Sequence, residues 1–374
     1  MSDIEWMRRC VALARRAEGR TAPNPMVGCV VVGSNGKIAA QAYHERAGKP
    51  HAEVAALEKL DFRAPGCTLY VNLEPCVHQG RTGPCAAVIA SAGIVRLVVG
   101  VKDPVANHSG GAQWLAKRGL EVATGVLADE CRELNRAFFT WAEHGRPLFV
   151  IKTAITADGK VATRGGESQW ITGERARLDG QRYRDRLDAI MVGVGTAIAD
   201  DPRLTTRDVD GGRDPVRIVV DSRLRTPAGA RLLPENSESD ARVVIATTED
   251  APQDAQETLE ALGAEVWRLP ATPQKRVDVL ALAKNLADEG ILSVLVEGGP
   301  ELHASLLSAG VTDELLVYIA PILVGGRGES PAWIGGSGVI GIQEAWQFDF
   351  HGEPKRLGRD LRLLLRPRID RGNK

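Results

Sequence analysis

The chain has 374 residues, 44% of them apolar and 25% charged, the balance of a soluble globular protein large enough for about two domains. Its 47 basic and 48 acidic residues leave a net charge of -1, without the basic excess of a nucleic-acid binder, so a polynucleotide partner is disfavoured. Six cysteines are too few for a disulfide framework in so long a chain. The acidic start at residues 1–6 lacks the cationic and apolar regions of a signal peptide. No apolar run approaches the ~18–20 residues that span a bilayer, so a cytoplasmic protein without a membrane partner is expected.

Trp6, Cys10, Val11, Leu13, Ala14 and Ala17 recur at helical spacing and predict an amphipathic helix over 4–18. Thr21-Ala-Pro-Asn-Pro25 is a turn. Residues 27–32 read as a buried strand, joined through Ser34-Asn-Gly36 to a second strand ending at 42. Asn24 stands just ahead of the first strand, where its amide serves either the turn or the edge of a bound heterocycle. A helix is expected over 51–60, a strand over 67–71, a helix opened by Pro84, and a strand over 95–101. A helix over 111–117, a strand over 121–123 and a helix over 129–141 follow. This alternation predicts a three-layer α/β domain over residues 1–145.

Within it stand His51-Ala-Glu53, Pro75-Cys76 and Cys85. One imidazole and two thiolates hold zinc with three ligands and leave the fourth tetrahedral position to water, as in catalytic rather than structural sites. Glu53 is crowded as a ligand but well placed to move protons. His-x-Glu followed by Pro-Cys and a second cysteine is the pattern of zinc-dependent base deaminases, with the glutamate as general acid/base. The long step from Cys76 to Cys85, through the glycine-rich loop 79–83, departs from that pattern. All three ligands fall at or near predicted helix N-termini, where thiolates are favoured. A structural zinc site is the competing reading, with Cys67 or His78 as the fourth ligand, and His44 can approach the same pocket.

Residues 143–147 break the last helix, so a second domain is expected over 146–374. Strands are predicted at 148–154, 189–194, 216–221, 242–247, 264–268, 292–297 and 314–320. Helices are predicted at 173–186, 251–262, 276–289 and 300–309. A small-residue turn ending at Gly195, a polar loop over 200–207, a glycine-rich loop over 330–341 and a closing strand over 359–366 complete the half. The strand before Glu297, the Gly298-Gly299 turn and the helix after Pro300 have the geometry that receives a pyrophosphate. Such a pair alone is also an ordinary tight turn. No Gly-x-Gly-x-x-Gly opens the domain, so a nucleotide fold here should not be Rossmann.

Nearly the whole chain resembles the bifunctional deaminase/reductase family of riboflavin biosynthesis, from Pro23-Asn-Pro-Met-Val-Gly28 to Tyr318-Ile-Ala-Pro321. The resemblance is carried by His51-Ala-Glu53 and Leu73-Glu-Pro-Cys-Val-His-Gln-Gly-Arg-Thr-Gly-Pro-Cys85, whose long loop is a family feature. In the second half it is carried by residues 152–161, Gly166-Glu-Ser-Gln-Trp-Ile-Thr172, residues 192–207, Val220-Asp-Ser222 and Val296-Glu-Gly-Gly-Pro300. It implies a cytidine-deaminase-like first domain and a dihydrofolate-reductase-like second one, with zinc and NADPH as cofactors. The implied substrate is a diaminopyrimidinone bearing ribose phosphate, deaminated by hydrolysis and then reduced at the sugar to a ribityl chain.

The same resemblance implies that Ala154, Trp170, Thr196, Asp200 and Ser222 contact the dinucleotide. Gly299, Pro300, Glu301, Leu302, His303, Ala304 and Ser305 would wrap its phosphates. Ser168, Arg184, Leu204, Arg207 and Glu297 would bind the phosphoribosyl substrate. Arg184 and Arg207 are guanidinium forks suited to a phosphate monoester, and Lys152 and Asp200 are the polar side chains expected near hydride transfer. Two other classes compete: a nucleoside or tRNA-base deaminase fused to an unrelated reductase, and a non-enzymatic zinc-stapled nucleotide sensor. The sequence is compatible with a homo-oligomer and specifies none.

Overall fold

The structure is a computed structural model and describes residues 1–78, 83–326 and 328–368. Most of the glycine-rich loop 79–83 therefore lies outside the described residues. The chain divides into two compact units, Met1–Arg146 and Pro147–Lys374.

Helix α1 (Asp3–Ala14) opens the first unit with a capping box. Glu5 N donates to the Ser2 hydroxyl and Ser2 N donates to the Glu5 carboxylate at 2.6 Å, a cap of about 1 kcal/mol. There follow β1 (Gly28–Val32), β2 (Ile38–Tyr43), α2 (Ala52–Glu58), β3 (Thr68–Leu73), α3 (Cys85–Ser91), β4 (Arg96–Val101), α4 (Gly111–Ala116) and β5 (Glu121–Thr124). The sheet runs β2-β1-β3-β4-β5, antiparallel up to β3 and parallel from β3 to β5. Every residue of β1 is buried, as a strand covered on both faces requires. Val30, Val32, Tyr70 and Val98 pack on Trp6, Met7 and Cys10 of α1; α2 packs against β1 and β2.

The helix expected over 129–141 is two, α5 (Ala128–Leu134) and α6 (Arg136–His144). Asn135, 2% exposed, separates them. Its amide accepts from Met26 N at 2.8 Å and donates to Met26 O at 2.9 Å. A side chain that pairs with a distant backbone so well competes with helix continuation.

The second unit contains β6 (Leu148–Thr156), α7 (Glu174–Arg186), β7 (Ala189–Gly193), α8 (Val194–Asp200), β8 (Val216–Val220), β9 (Val243–Thr248), α9 (Gln253–Ala261) and β10 (Glu265–Leu269). After these come α10 (Val279–Asp288), β11 (Ser293–Val296), α11 (Pro300–Ser308), β12 (Thr312–Ala320), β13 (Phe348–Phe350), β14 (Lys355–Leu357) and β15 (Asp360–Pro367). Seven parallel strands run in the order β10-β9-β8-β7-β11-β6-β12; β15 and β13 extend the sheet antiparallel, with β14 paired to β15. The pleat sends Met191 to a layer with Leu282, Leu286 and Leu306, and its neighbours Ile190 and Val192 to a layer with Leu204, Leu232 and Leu259.

Three expectations change here. The small-residue turn after β7 is the start of α8, since Val194 and Ala197 find apolar cover that sequence spacing alone does not reveal. The helix expected from 276 starts at Val279, capped by the Asp278 side chain on Leu280 N at 2.9 Å. The three-residue strands β13 and β14 are too short to leave a periodic signal. Among the described residues, no helix is long and apolar enough to cross a membrane.

Candidate active sites

In the first unit His51 is the N-cap of α2, Glu53 lies in that helix's first turn, and Cys85 is the first residue of α3. Cys76 follows β3 on the segment leading to that helix. His51 Nδ1 stands 3.2 Å from Cys85 Sγ and 3.8 Å from Cys76 Sγ, and all three donor atoms lie within 4.8 Å of one another. Zinc bonds of ~2.1 Å to nitrogen and ~2.3 Å to sulfur at tetrahedral angles put such donors about 3.5–3.8 Å apart. The donor set fits zinc.

Electrostatics agree with that fit. The Cys85 thiol and the His51 ring beside Cys76 hold its thiol well below the ordinary range, while Cys76 and burial push Cys85 up. A divalent cation among them favours the thiolate at both. Cys85 N also donates to Cys76 Sγ at 3.4 Å. Burial pushes the carboxyl of Glu53, only 3% exposed, above the usual carboxylate range, a suitable state for a group that must both take and give a proton.

Neither candidate for a fourth ligand joins this cluster. Cys67 opens the approach to β3, with its thiol toward Pro65 O. His78 stacks on His108 with ring centroids 4.0 Å apart. Among the described residues the metal-ligating group is His51, Cys76 and Cys85, the open arrangement of a catalytic site.

Asn24 and His44 join the same centre. His44 and His51 meet edge-on, centroids 5.5 Å apart. Burial holds His44 below its ordinary value, so its ring is neutral. Pro50 O can only accept, so His44 Nδ1 donates to it at 3.0 Å; Nε2 is then the acceptor for the Asn24 amide nitrogen at 3.1 Å. That fixes the Asn24 amide and leaves its oxygen as an acceptor. The backbone of Asn24 meanwhile closes the turn on Thr21 O at 2.8 Å, so the turn reading holds while the side chain faces the centre.

Helix α4 secures the Cys76 segment. Glu74 accepts from Gly110 N at 3.2 Å and from Ala112 N at 3.1 Å. A Cβ on Gly111 would lie 1.9 Å from Pro75 O, one residue before the ligand. Gly111→Ala is therefore expected to cost about 1–3 kcal/mol, as overpacking does, and to weaken zinc binding. Thermal unfolding and a zinc titration measure both; wild-type zinc affinity in this variant would show that the contact does not hold Cys76 in place.

The second unit carries a cavity of about 1000 Å³ along the middle of β6, at Lys152 to Ala154, and the carboxyl ends of β11, β7 and β8, where Glu297, Gly193 and Val220 lie. A neighbouring cavity of about 580 Å³ shares Lys152, Trp170, Arg184, Thr196, Asp200 and Glu297 with it. Ligands in open parallel sheets bind at these strand ends. Ala154, Ser168, Ser222 and Ser305 line the larger cavity, and Leu204 and Arg207 the smaller. Trp170 is 63% exposed, with the Arg177 guanidinium 4.7 Å above its ring.

A glycine turn faces the larger cavity. Gly299, with φ 90°, caps α11, and a Cβ on Gly298 would lie 2.9 Å from the Thr196 hydroxyl. Only glycines bring a backbone this close to a bound phosphate at the head of a helix. Gly299, Pro300, Glu301, Leu302 and His303 line the cavity. Ala304, grouped with them by the resemblance, does not: it is 6% exposed, close to Gly336 of the glycine-rich loop, and absent from the wall. His303 is also buried, with Nδ1 against Trp333 O at 2.8 Å. The cradle fits a dinucleotide.

Glu297 is the electrostatic centre of this half. Arg184 grips it with two hydrogen bonds of 2.8 Å, and Lys152 Nζ stands 3.5 Å away. Burial alone would raise the Glu297 carboxyl; the two cations outweigh it and bring it down to about 2. Arg184 also donates to Thr205 O at 2.8 Å, so this guanidinium is committed to the protein rather than an open phosphate fork. Arg207 is the open fork. Its head has no partner among the described residues, and burial together with Arg184 and Arg203 holds it below its ordinary value. Arg203, in the same polar loop over 200–207, lines the smaller cavity beside it.

Comparison with known proteins decides the family. Residues 147–348 match the model described as "RibD C-terminal domain", and residues 1–101 match "Cytidine and deoxycytidylate deaminase zinc-binding region". The riboflavin biosynthesis protein RibD of Actinobacillus pleuropneumoniae is 44% identical over 92% of this chain and 90% of its own length. The chain belongs to the RibD family of riboflavin biosynthesis proteins.

RibD of Escherichia coli K12 is 37% identical over 98% of the chain and 99% of its own length. The solved structure of Acinetobacter baumannii RibD, form 1, superposes with a TM-score of 0.86 at 34% identity, covering 98% of this chain and 99% of that one. A Thermotoga maritima structure, described as a diaminohydroxyphosphoribosylaminopyrimidine deaminase/5-amino-6-(5-phosphoribosylamino)uracil reductase, has a TM-score of 0.84 at 31% identity over 98% of both chains. This member is a bifunctional riboflavin-pathway enzyme with a zinc deaminase domain and an NADPH-dependent reductase domain.

Proposed function

We propose that the first unit deaminates a diaminopyrimidinone bearing ribose phosphate, and that the second reduces the sugar of the deaminated product to a ribityl chain. The observation that carries the first half is the His51–Cys76–Cys85 cluster with buried Glu53 beside it. Zinc held there supplies a Lewis acid that lowers the pKa of water toward ~7. Glu53 would take one proton from the attacking water and deliver it to the ring nitrogen, then carry the second, from the hydroxyl so formed, to the departing amine, which leaves as ammonia. The Asn24 amide oxygen accepts a hydrogen bond from the heterocycle edge, its orientation fixed by His44.

In the second unit NADPH supplies the hydride, and the protein supplies position and charge. Ala154, Trp170, Thr196, Asp200 and Ser222 contact the dinucleotide, with Gly299, Pro300 and Ser305 at its phosphates. Arg207, with Arg203 beside it, binds the substrate phosphate near Leu204 and Ser168. The Glu297–Arg184 pair holds Lys152 at the junction of the two cavities. There its ammonium gives a proton to the ring oxygen as the sugar opens. Reduced, unpaired cysteines support a cytoplasmic setting.

The test is a coupled assay on the diaminopyrimidinone ribosyl phosphate, following ammonia release and NADPH oxidation together. Ammonia should appear first and NADPH should fall only afterwards. NADPH oxidation that outruns ammonia release would reverse the proposed order.

A further inference from the structure

The segment over 201–208, between α8 and β8, is held in a shape that the chain alone disfavours. Asp201, Leu204 and Asp208 have φ of 39°, 55° and 59°, the left-handed region that strains any residue with a Cβ. Leucine is the least expected of the three there, having no polar side chain to bond the nearby backbone. Leu204 is nonetheless 2% exposed, in the core layer with Val192, Ala197 and Leu232. On either side of it Arg203 and Arg207 are exposed and line the smaller cavity. Their charges repel, so the two spread apart unless the backbone holds them together.

Strain of this kind persists only where the surroundings over-determine the backbone, and four side chains from outside the segment do so. Arg184 donates to Thr205 O at 2.8 Å, Asp214 accepts from Thr206 N at 2.7 Å, and Gln181 accepts from Arg207 N at 2.9 Å. The fourth is Arg231. Its backbone N donates to Asp201 Oδ1 at 2.9 Å, and its Nε to Asp201 O and Oδ2, both at 2.9 Å. Its Nη2 donates to Asp201 O as well. One arginine thus engages the carbonyl and both carboxylate oxygens at the end of α8.

Arg231 is itself fixed at its base. Its neighbours Ala230, Leu232 and Leu233 are buried in the layer that takes Leu204. Asn236 Nδ2 donates to Ala228 O at 2.9 Å and Ala230 O at 3.2 Å, which closes the turn around it. The core therefore grips the segment through Leu204, and Arg231 grips it through Asp201 from the rim of the smaller cavity, which it also lines. The Arg231–Asp201 pair is half-exposed and so adds little to stability. Its effect falls on the shape of the loop.

We propose that Arg231 is a positioning residue for the reductase step: by holding Asp201 it keeps the loop in the strained form that presents Arg203 and Arg207 together to the substrate phosphate. This rests on reading those two arginines as the phosphate site. A loop ordered in advance lowers the cost of binding, so the clamp acts on substrate affinity and leaves the chemistry at Lys152 in place.

The experiment measures calorimetric binding of ribose 5-phosphate to the full-length zinc-loaded enzyme, with thermal unfolding and steady-state reduction of the deaminated substrate beside it. Arg207→Gln tests the underlying reading and marks the binding component that belongs to the second unit, which it should remove. Arg231→Met keeps the apolar stem and loses the side-chain donors; that component should weaken about tenfold. KM should rise by the same factor with kcat little changed, the pattern of lost uniform binding, while the thermal midpoint moves by no more than ~2 °C. Asp201→Gly accepts the left-handed backbone without strain; it should weaken binding in the same direction, and the double variant should be no weaker than Arg231→Met. Losses that add in the double variant would show Arg231 meeting the phosphate directly, and unchanged binding in Arg231→Met would show a loop that needs no clamp; either overturns the proposal. If Arg207→Gln itself leaves binding intact, the phosphate reading fails first, and the clamp falls with it.

Discussion

Glu53→Gln lowers ammonia release by roughly a hundredfold to ten-thousandfold, the range of a lost general acid/base, while zinc content stays near that of the native enzyme. Glutamine preserves the shape of a side chain that is only 3% exposed and removes the ability to carry the proton. The reductase step, supplied with deaminated substrate, is unaffected, because its cavities are lined wholly by residues of the second unit. Cys76→Ser gives the complementary result: zinc and deamination are lost together, since a hydroxyl replaces one of three ligand atoms and is a poor ligand when protonated. Inductively coupled plasma analysis of zinc, read beside ammonia release, separates the two variants. Deamination that survives in the Glu53→Gln protein removes Glu53 from the mechanism.

Arg184→Ala destabilises the second unit by about 3–5 kcal/mol, the cost of removing one partner from a buried ion pair. Arg184 and Glu297 have side chains 12% and 8% exposed, so water from the adjoining cavities replaces the lost bonds only in part. Lys152, at 3.5 Å, compensates in part. The same carboxylate predicts the acid limb of stability. Glu297 titrates at about 2 in the fold against an ordinary 4.5. A depressed carboxyl stabilises fully above its ordinary value, and that stabilisation, about 3 kcal/mol, is lost as the pH falls from ~4.5 to ~2. In Arg184→Ala burial is opposed by Lys152 alone, so the carboxyl moves back up and the acid-dependent stabilisation from this group shrinks. Urea unfolding from pH 2 to 7 measures it, with Glu297→Gln as the variant lacking this titration. An acid limb of the same steepness in wild type and Glu297→Gln would show that the pair does not contribute it.

Much of this protein is legible in its sequence because the relevant signals are local. The alternation of apolar runs and turns marks the parallel strands from β6 to β12 within a residue or two, since strands buried on both faces must be continuously apolar. The metal donors are legible because each stands at an element end, and a loop of any length between Cys76 and Cys85 leaves those ends where they are. Short elements are not legible: α8, β13 and β14 hold too few residues for a period to show, and their formation depends on the core beneath them.

What the sequence by itself determined is the chemistry of the donor groups: an imidazole, two thiols, a nearby carboxylate, and a glycine turn at the head of a helix. Only the tertiary structure decided which of those groups meet. It brings Asn24 through His44 to the metal site, a contact across twenty positions of chain that no spacing rule encodes. It turns Arg184 from a phosphate fork into the partner of Glu297, because the low dielectric around a buried carboxylate makes a guanidinium its strongest company. It buries Ala304 beside Gly336, and it buries Asp221 while leaving Arg223 and Arg225 facing the cavity. In each case charge and hydrogen-bonding capacity are properties of the residue, whereas burial and partnership are properties of the fold.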